Sequence, residues 1–529
     1  MSKRLTLATA AALLAALGLV PVLAMVADTF YVDGALSLTA YEALFSSASQ
    51  LASMGRSMLL SLLTTLLATA VGVPLGLLLG KTDLPLRRTL ATLFTVPLLM
   101  PPYVLATAWS AVLGQSGWVS RAVAPTTAGF LFSGLFGLYG CVGVLFTAFM
   151  PVVMLLTITH AASIDPRWED AARLVSRWPR LLWRITLPLT APSILFAAIL
   201  VFLLTFGETG VPSLLRYRVY PVETLIQFAA FYDFGAATAA AMPMLLATLA
   251  LLVLEYRWLH DRVLTLRAAA RGTQRTQMAL GRWRVPAFAV VSTSALLGVL
   301  LPLAVLVDQA ASLSAYVDAL ARASDAILRS LAFAAIGATL LTVLGFFCGY
   351  LVSNRTLAIW RGVDYLALFL FTLPGTVIGI GLIRFWNSPL TNAIYGTAAI
   401  VIIGYLAQYA VLPIRITAAI LGSIPSSLEQ AARVAGASWF MTLRHVTAPL
   451  AKRGLLAAWL IGYVFCLRDV GTSIIVYPPG SDTLPVYILT SMANGQPSTV
   501  AALCVILIAI TLLPLGVAAH WVARRAALP

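Results

Sequence analysis

Runs of about 20 mostly apolar residues recur along this chain, each long enough to cross roughly 30 Å of hydrocarbon as an α-helix. Of the 529 residues, 60% are hydrophobic and only 10% charged, whereas a soluble domain is about half apolar and about a quarter charged. The runs are apolar on all sides, so they lack the two-residue alternation of barrel strands. The chain therefore reads as an all-α polytopic membrane protein. Twelve spans are expected, near 5–27, 57–80, 89–113, 136–162, 189–207, 236–258, 286–308, 330–353, 363–385, 395–422, 454–475 and 499–523. Lys3 and Arg4 precede the first without a small-residue cleavage site, so it reads as an uncleaved signal-anchor.

Charge placement sets the orientation. An even number of spans puts both termini on one side, and basic residues mark the cytoplasmic side. With the termini inside, only eight of the 34 Lys and Arg fall in outer segments. Five arginines from Arg167 to Arg184 and seven from Arg257 to Arg284 then face the cytoplasm. The net charge of +15 thus follows from topology and does not point to nucleic acid. Cys141, Cys348, Cys466 and Cys504 lie in apolar runs without a CxxC partner, which argues against disulfides. The four histidines have no carboxylate or cysteine at ligand spacing, so no metal site is expected. Gly76 to Thr82 is one residue short of a phosphate-binding loop and ends a membrane span. No nucleophile–base constellation is visible, and no enzymatic activity or bound cofactor is expected of this chain.

An internal repeat divides the sequence. Arg56, Ser57, Gly72, Gly76 and Pro101 match Arg329, Ser330, Gly345, Gly349 and Pro374 at an offset of 273. Beyond a longer outer loop, Glu169, Ala171, Ala172 and Arg173 match Glu429, Ala431, Ala432 and Arg433 at an offset of 260. Glu208 and Asp469 lie 261 apart, as do Gly210 and Gly471. Six spans per copy give both halves one orientation and imply a pseudo-two-fold axis along the membrane normal. The expected organisation is a first half over 1–258, a polar, basic cytoplasmic linker over 259–285, and a second half over 286–529. Paired glycines four apart allow helices to approach closely.

Two inner loops, near 164–188 and 424–449, carry the most informative pattern. Each reads as a short helix, a turn and an amphipathic stretch entering the membrane. Asp165-Pro166 supplies an N-cap and a first-turn proline, and Ser426 with Glu429 has the spacing of a capping box. Glu169 and Glu429 fall near the positive helix end. The paired alanines offer a small face, and Gly436 can take the left-handed conformation that ends a helix.

These loops resemble the EAA loop of binding-protein-dependent ABC importer permeases. Glu169-Asp170-Ala171-Ala172 and Glu429-Gln430-Ala431-Ala432 occupy the acidic and alanine positions. Gly436 occupies the glycine position, where the first copy has Ser176, and Leu187-Pro188 and Pro449 occupy the end. The loop Gly80 to Arg88, the stretch Leu373 to Leu382 and the duplicated layout are similar to fused permeases of the ferric iron and thiamine type.

The resemblance implies a type I ABC importer fold in the bacterial inner membrane. It implies coupling loops that dock on two copies of a separate ABC ATPase subunit. Solute would come from a periplasmic binding protein, with ferric iron the first expectation for cargo. Thiamine, a polyamine, or a phosphonate or similar anion are the others. A secondary transporter of the major facilitator type is the alternative, but it has no need of long loops after spans four and ten. Glu208 and Asp469, with Arg468 beside the latter, are the pathway or gate candidates. Each acid follows its loop proline by 20 residues, roughly 30 Å of helix, and acids at such depth face water or a partner.

Overall fold

A computed structural model describes residues 3–32, 35–36, 42, 47–114, 117–122, 125–175, 178–231, 234–269 and 278–526. Nine described helices are long and apolar enough to cross a membrane, and up to twelve spans result if three bent helix pairs are counted. One small antiparallel hairpin pairs Tyr31–Val32 with Ala35–Leu36 after the first span.

The bent pairs differ from the straight spans expected at 89–113, 363–385 and 395–422. Helix Arg87–Leu99 stops before Pro102–Leu113. Trp360–Thr372 meets Gly375–Trp386 at 106°, and Ala399–Tyr409 meets Val411–Leu421 at 51°. Prolines explain the breaks. Met100 and Leu373 each precede a proline and are extended, with ψ of 150° and 140°, because the proline ring disfavours the helical conformation in the residue before it. Pro413 cannot donate to the carbonyl of Tyr409, so the third pair divides at Ala410.

Other prolines are absorbed by a wide π turn. Such turns occupy Ala15–Leu19, Leu182–Thr186, Leu296–Leu300 and Leu443–Thr447. Each ends two residues before a proline: Pro21, Pro188, Pro302 and Pro449. The extra residue relieves the clash between the ring and the preceding turn.

Contacts divide the chain into two compact units that cut across the sequence halves. One contains residues 1–47, 224–245 and 316–529, the other 48–223 and 246–315. Within the first unit, the N-terminal helix packs on second-half elements. A Cβ on Gly18 would run into the Leu370 side chain, and one on Gly381 would lie 3.1 Å from the Pro21 carbonyl oxygen. Asp28 and Arg384 are ion-paired there. In the second unit, Leu301–Gln309 packs on Pro102–Leu113, burying Val305 with Ala111 and Val112.

The repeated glycines have equivalent surroundings. A Cβ on Gly72 would come within 2.9 Å of Val153, and one on Gly76 within 2.7 Å of Thr157. Gly345 and Gly349 meet Pro413 and Thr417 at 2.5 and 2.8 Å. Those partners are again 260 residues apart, so one helix crossing is built twice.

Helix Phe234–Ala269 runs well into the expected linker. The linker's far end then pairs with the loop after the second span. Met278 N–H donates to the Lys81 carbonyl (2.7 Å), and Asp83 N–H donates to that of Met278 (3.2 Å). Leu280 N–H donates to Asp83 Oδ1 at 2.9 Å.

Candidate functional site

The first inner loop forms helix Pro166–Val175. Asp165 Oδ1 accepts from Arg167 N–H at 3.0 Å, which fixes the entry. Glu169 turns back toward the membrane helices and is fully buried. Lys81 Nζ donates to both its carboxylate oxygens at 2.7 and 2.8 Å, and Thr186 Oγ1 donates to Oε1 at 3.4 Å. Asp170 is exposed and lies 3.6 Å from Arg173. Ala171 is exposed. Ala172 lies in the helix, but its side chain and all of Ser176 fall outside the described residues.

The second loop forms helix Ser426–Val434. The expected capping box is absent: Pro425 is the cap residue and no side chain bonds there. Glu429 is engaged elsewhere. Its Oε2 accepts from the Tyr350 hydroxyl at 3.1 Å and its Oε1 from Thr447 Oγ1 at 3.4 Å. Gln430 and Ala431 are exposed, and Ala432 is half-buried. Gly436 has φ +82°. Gly436 N–H donates to the Arg433 carbonyl and Ala437 N–H to that of Ala432, both at 3.0 Å. Two such bonds close a Schellman turn, which a residue with a Cβ would strain.

Each helix therefore has an inner and an outer side. The glutamate holds it to the membrane helices, and an apolar residue projects at its end. Leu174 is 87% exposed and Val434 is 89% exposed, 260 residues apart. Covering such a side chain contributes about 1.5–3 kcal/mol, which suits a docking knob. Sequence reasoning missed Lys81, Tyr350 and the threonine pair Thr186 and Thr447. The threonines had a signal, since they recur 261 residues apart beside Pro188 and Pro449.

The pathway candidates occupy unlike surroundings. Glu208 follows helix Leu187–Phe206, is half-buried, and accepts from Gly210 N–H at 3.0 Å. Asp469 is only 3% exposed. Tyr409 donates to its Oδ1 at 2.6 Å, and Ser473 N–H and Oγ donate to Oδ2 at 2.8 and 2.6 Å. Thr472 bonds Gln408, which in turn bonds the Leu373 carbonyl at the broken span. Arg468 stands 5.0 Å over the Phe465 ring. Among the described residues, no group of three His, Cys, Asp or Glu is placed to hold a metal ion.

Comparison with known proteins agrees with this layout. Over 431 residues, 75% of the chain, it is 26% identical to FbpB 1 of Haemophilus influenzae, named for a ferric transport system. It is 25% identical over 439 residues, 78% of the chain, to the ferric transport system permease protein FbpB of Actinobacillus pleuropneumoniae. The matches span 66% and 63% of those relatives' own lengths, just under two thirds. PhnV of Salmonella typhimurium, named for 2-aminoethylphosphonate transport, is 28% identical over 204 residues, 38% of this chain and 76% of its own. The family model of binding-protein-dependent transport system inner membrane components matches twice, over residues 72–265 and 341–527. With these two matches in tandem, the chain belongs to that family of multi-pass inner-membrane transport permeases, two copies being fused in one polypeptide.

Proposed function

We propose that this chain is the membrane permease of an ATP-driven importer that takes a solute from a separate binding protein and passes it to the cytoplasm. The carrying observation is the repeated pair of short helices. Each presents an exposed apolar residue, Leu174 or Val434, while its glutamate is held to the membrane helices. Such a helix can take a push from a docked protein and pass it inward. Behind each lies a π turn that runs directly into a long helix, Leu187–Phe206 or Ala448–Leu467. Two ATPase subunits closing on ATP would draw the two helices together and rock the spans beyond them. This would link nucleotide binding to movement of the membrane spans through binding free energies. Both termini are cytoplasmic in this reading, because the basic residues then lie inside.

Ferric iron is the favoured cargo, supported by relatives named for ferric transport. A phosphonate stands second, on the likeness of PhnV. The test is reconstitution in liposomes with the ATPase subunits and the binding protein of the same system. ATP-dependent accumulation of ferric iron is expected. Accumulation without ATP, or none with any cargo, overturns the proposal.

A further inference from the structure

The two halves build the same turn near the outer end of their second span, and the charges in it differ. In the second half, Ser330 Oγ accepts from Leu484 N–H at 2.6 Å. In the first, Ser57 Oγ accepts from Tyr220 N–H at 2.7 Å. Both bonds hold the start of a helix, Leu484–Asn494 or Tyr220–Phe231. Pro221 and Val222 match Pro485 and Val486 at the same offset of 264, which makes Arg218 the counterpart of Asp482 and Arg216 that of Gly480.

The second half is neutralised from within. Arg329 Nη2 donates to Asp482 Oδ1 at 2.7 Å and Nε to the Asp482 carbonyl at 3.1 Å. The first half has an arginine where that carboxylate would be. Among the described residues, Arg56 Nη2 reaches only Ser53 Oγ, at 3.1 Å, and its Nε is buried without a hydrogen bond. Burial pushes the Tyr217 phenol up and the Arg56 guanidinium near it opposes that, so the loop and Arg56 are neighbours. Among the described residues no carboxylate forms an ion pair with Arg56, Arg216 or Arg218. Arg216 and Arg218 are both exposed.

The backbone adds an independent sign. Gly480 has φ +76°, where glycine costs little. Arg216 takes the same left-handed conformation at φ +56° and stacks 5.4 Å from the Phe136 ring. A residue with a Cβ is strained there, and such strain collects at functional sites. The same turn is thus held with three arginines in one copy and with a closed ion pair in the other.

We infer that Arg56, Arg216 and Arg218 form a docking surface for an acidic protein, with an Asp or Glu of the partner taking the place that Asp482 fills in the second half. Resting on the function proposed above, the partner is the solute-binding protein. Only the first half offers this surface, so its acidic side docks there and the orientation is fixed.

The test measures binding of that protein to the permease–ATPase complex in lipid nanodiscs, from about 50 to 500 mM NaCl, a range over which exposed charges become screened. An Arg216→Gly, Arg218→Asp variant copies residues that this turn already holds in the second half, and complex assembly confirms its fold. It is expected to bind about tenfold more weakly and with a shallower salt dependence. Equal affinity overturns the inference, and so does weaker binding with an unchanged salt slope. A wild-type complex that binds no such protein at any salt concentration sinks the proposed function and this inference together.

Discussion

Lys81 Nζ lies 2.7 Å from Glu169 Oε1, with both side chains almost wholly buried. The pair joins the last residue of helix Ala48–Lys81 to helix Pro166–Val175. At the repeat position the second half has Asn354, and Glu429 is held by the Tyr350 hydroxyl instead. One of the two short helices is thus fixed by opposite charges and the other by hydroxyl groups.

That difference has a measurable consequence. Lys81→Met strands a buried carboxylate and is expected to destabilise the permease by about 3–5 kcal/mol. Adding Glu169→Leu should recover most of the loss, since an apolar pair can replace a buried ionic one. Tyr350→Phe should cost only about 1 kcal/mol, because Glu429 is half-buried and water can reach it. Thermal unfolding in detergent reads all three, and equal shifts for Lys81→Met and Tyr350→Phe would refute the asymmetry.

The glycine crossings give a second prediction. A Cβ on Gly76 or Gly349 would lie 2.8 Å from the Met154 or Ile414 carbonyl oxygen, so Gly76→Val and Gly349→Val must push two backbones apart. Each is expected to destabilise by at least about 1–3 kcal/mol. Gly516→Ala, with nothing within 4 Å, should leave the melting temperature unchanged. If Gly349→Val melts like wild type, the crossing does not hold the bundle as described.

Some of this was legible in the sequence because its cause is local. Gly72 and Gly76 recur at a fixed offset, and Gly436 sits where a helix must end, so crossing and turn could both be anticipated. The breaks at Met100 and Leu373 were equally local, yet hydropathy runs smoothly across Pro101 and Pro374 and hides them. The capping box failed for a tertiary reason: Tyr350 and Thr447 engage Glu429, and neither is near it in sequence. Packing of the first helix on second-half elements was illegible, since an apolar run carries no record of which apolar surface it meets.

Docking of the ATPase is expected to depend on the exposed knobs. Leu174→Asp or Val434→Asp should each weaken ATPase retention on purification, and the double variant should abolish it. Both residues are nearly free of contacts within the chain, so the permease should still insert and melt normally. Full retention in the double variant would mean that the ATPase does not dock on these helices.

Topology can be checked independently of transport. An alkaline phosphatase fusion after Ser116 should be active, as expected of the periplasm, and one after Gly272 inactive. The reverse pattern would invert the orientation and remove both helices from the cytoplasmic side.

Glu208 and Asp469 match in sequence but not in setting, which separates two explanations for them. Asp469 accepts three hydrogen bonds in a buried site and organises the turn leading to helix Ser473–Val476. Asp469→Asn places an amide donor against either the Tyr409 hydroxyl or the Ser473 N–H, so a buried donor loses its acceptor. The expected cost is about 1–3 kcal/mol. Glu208 is half-buried and accepts from the backbone two residues ahead, a bond that the amide oxygen of Glu208→Gln can still accept. Its melting temperature should barely move. If these acids act as a gate, both single variants reduce uptake in liposomes at equal protein level and equal ATPase retention. If Asp469 is a structural staple, Asp469→Asn lowers stability and uptake together, while Glu208→Gln transports normally. The buried network around Asp469 favours the second outcome, and a stable Asp469→Asn permease that cannot transport would overturn it.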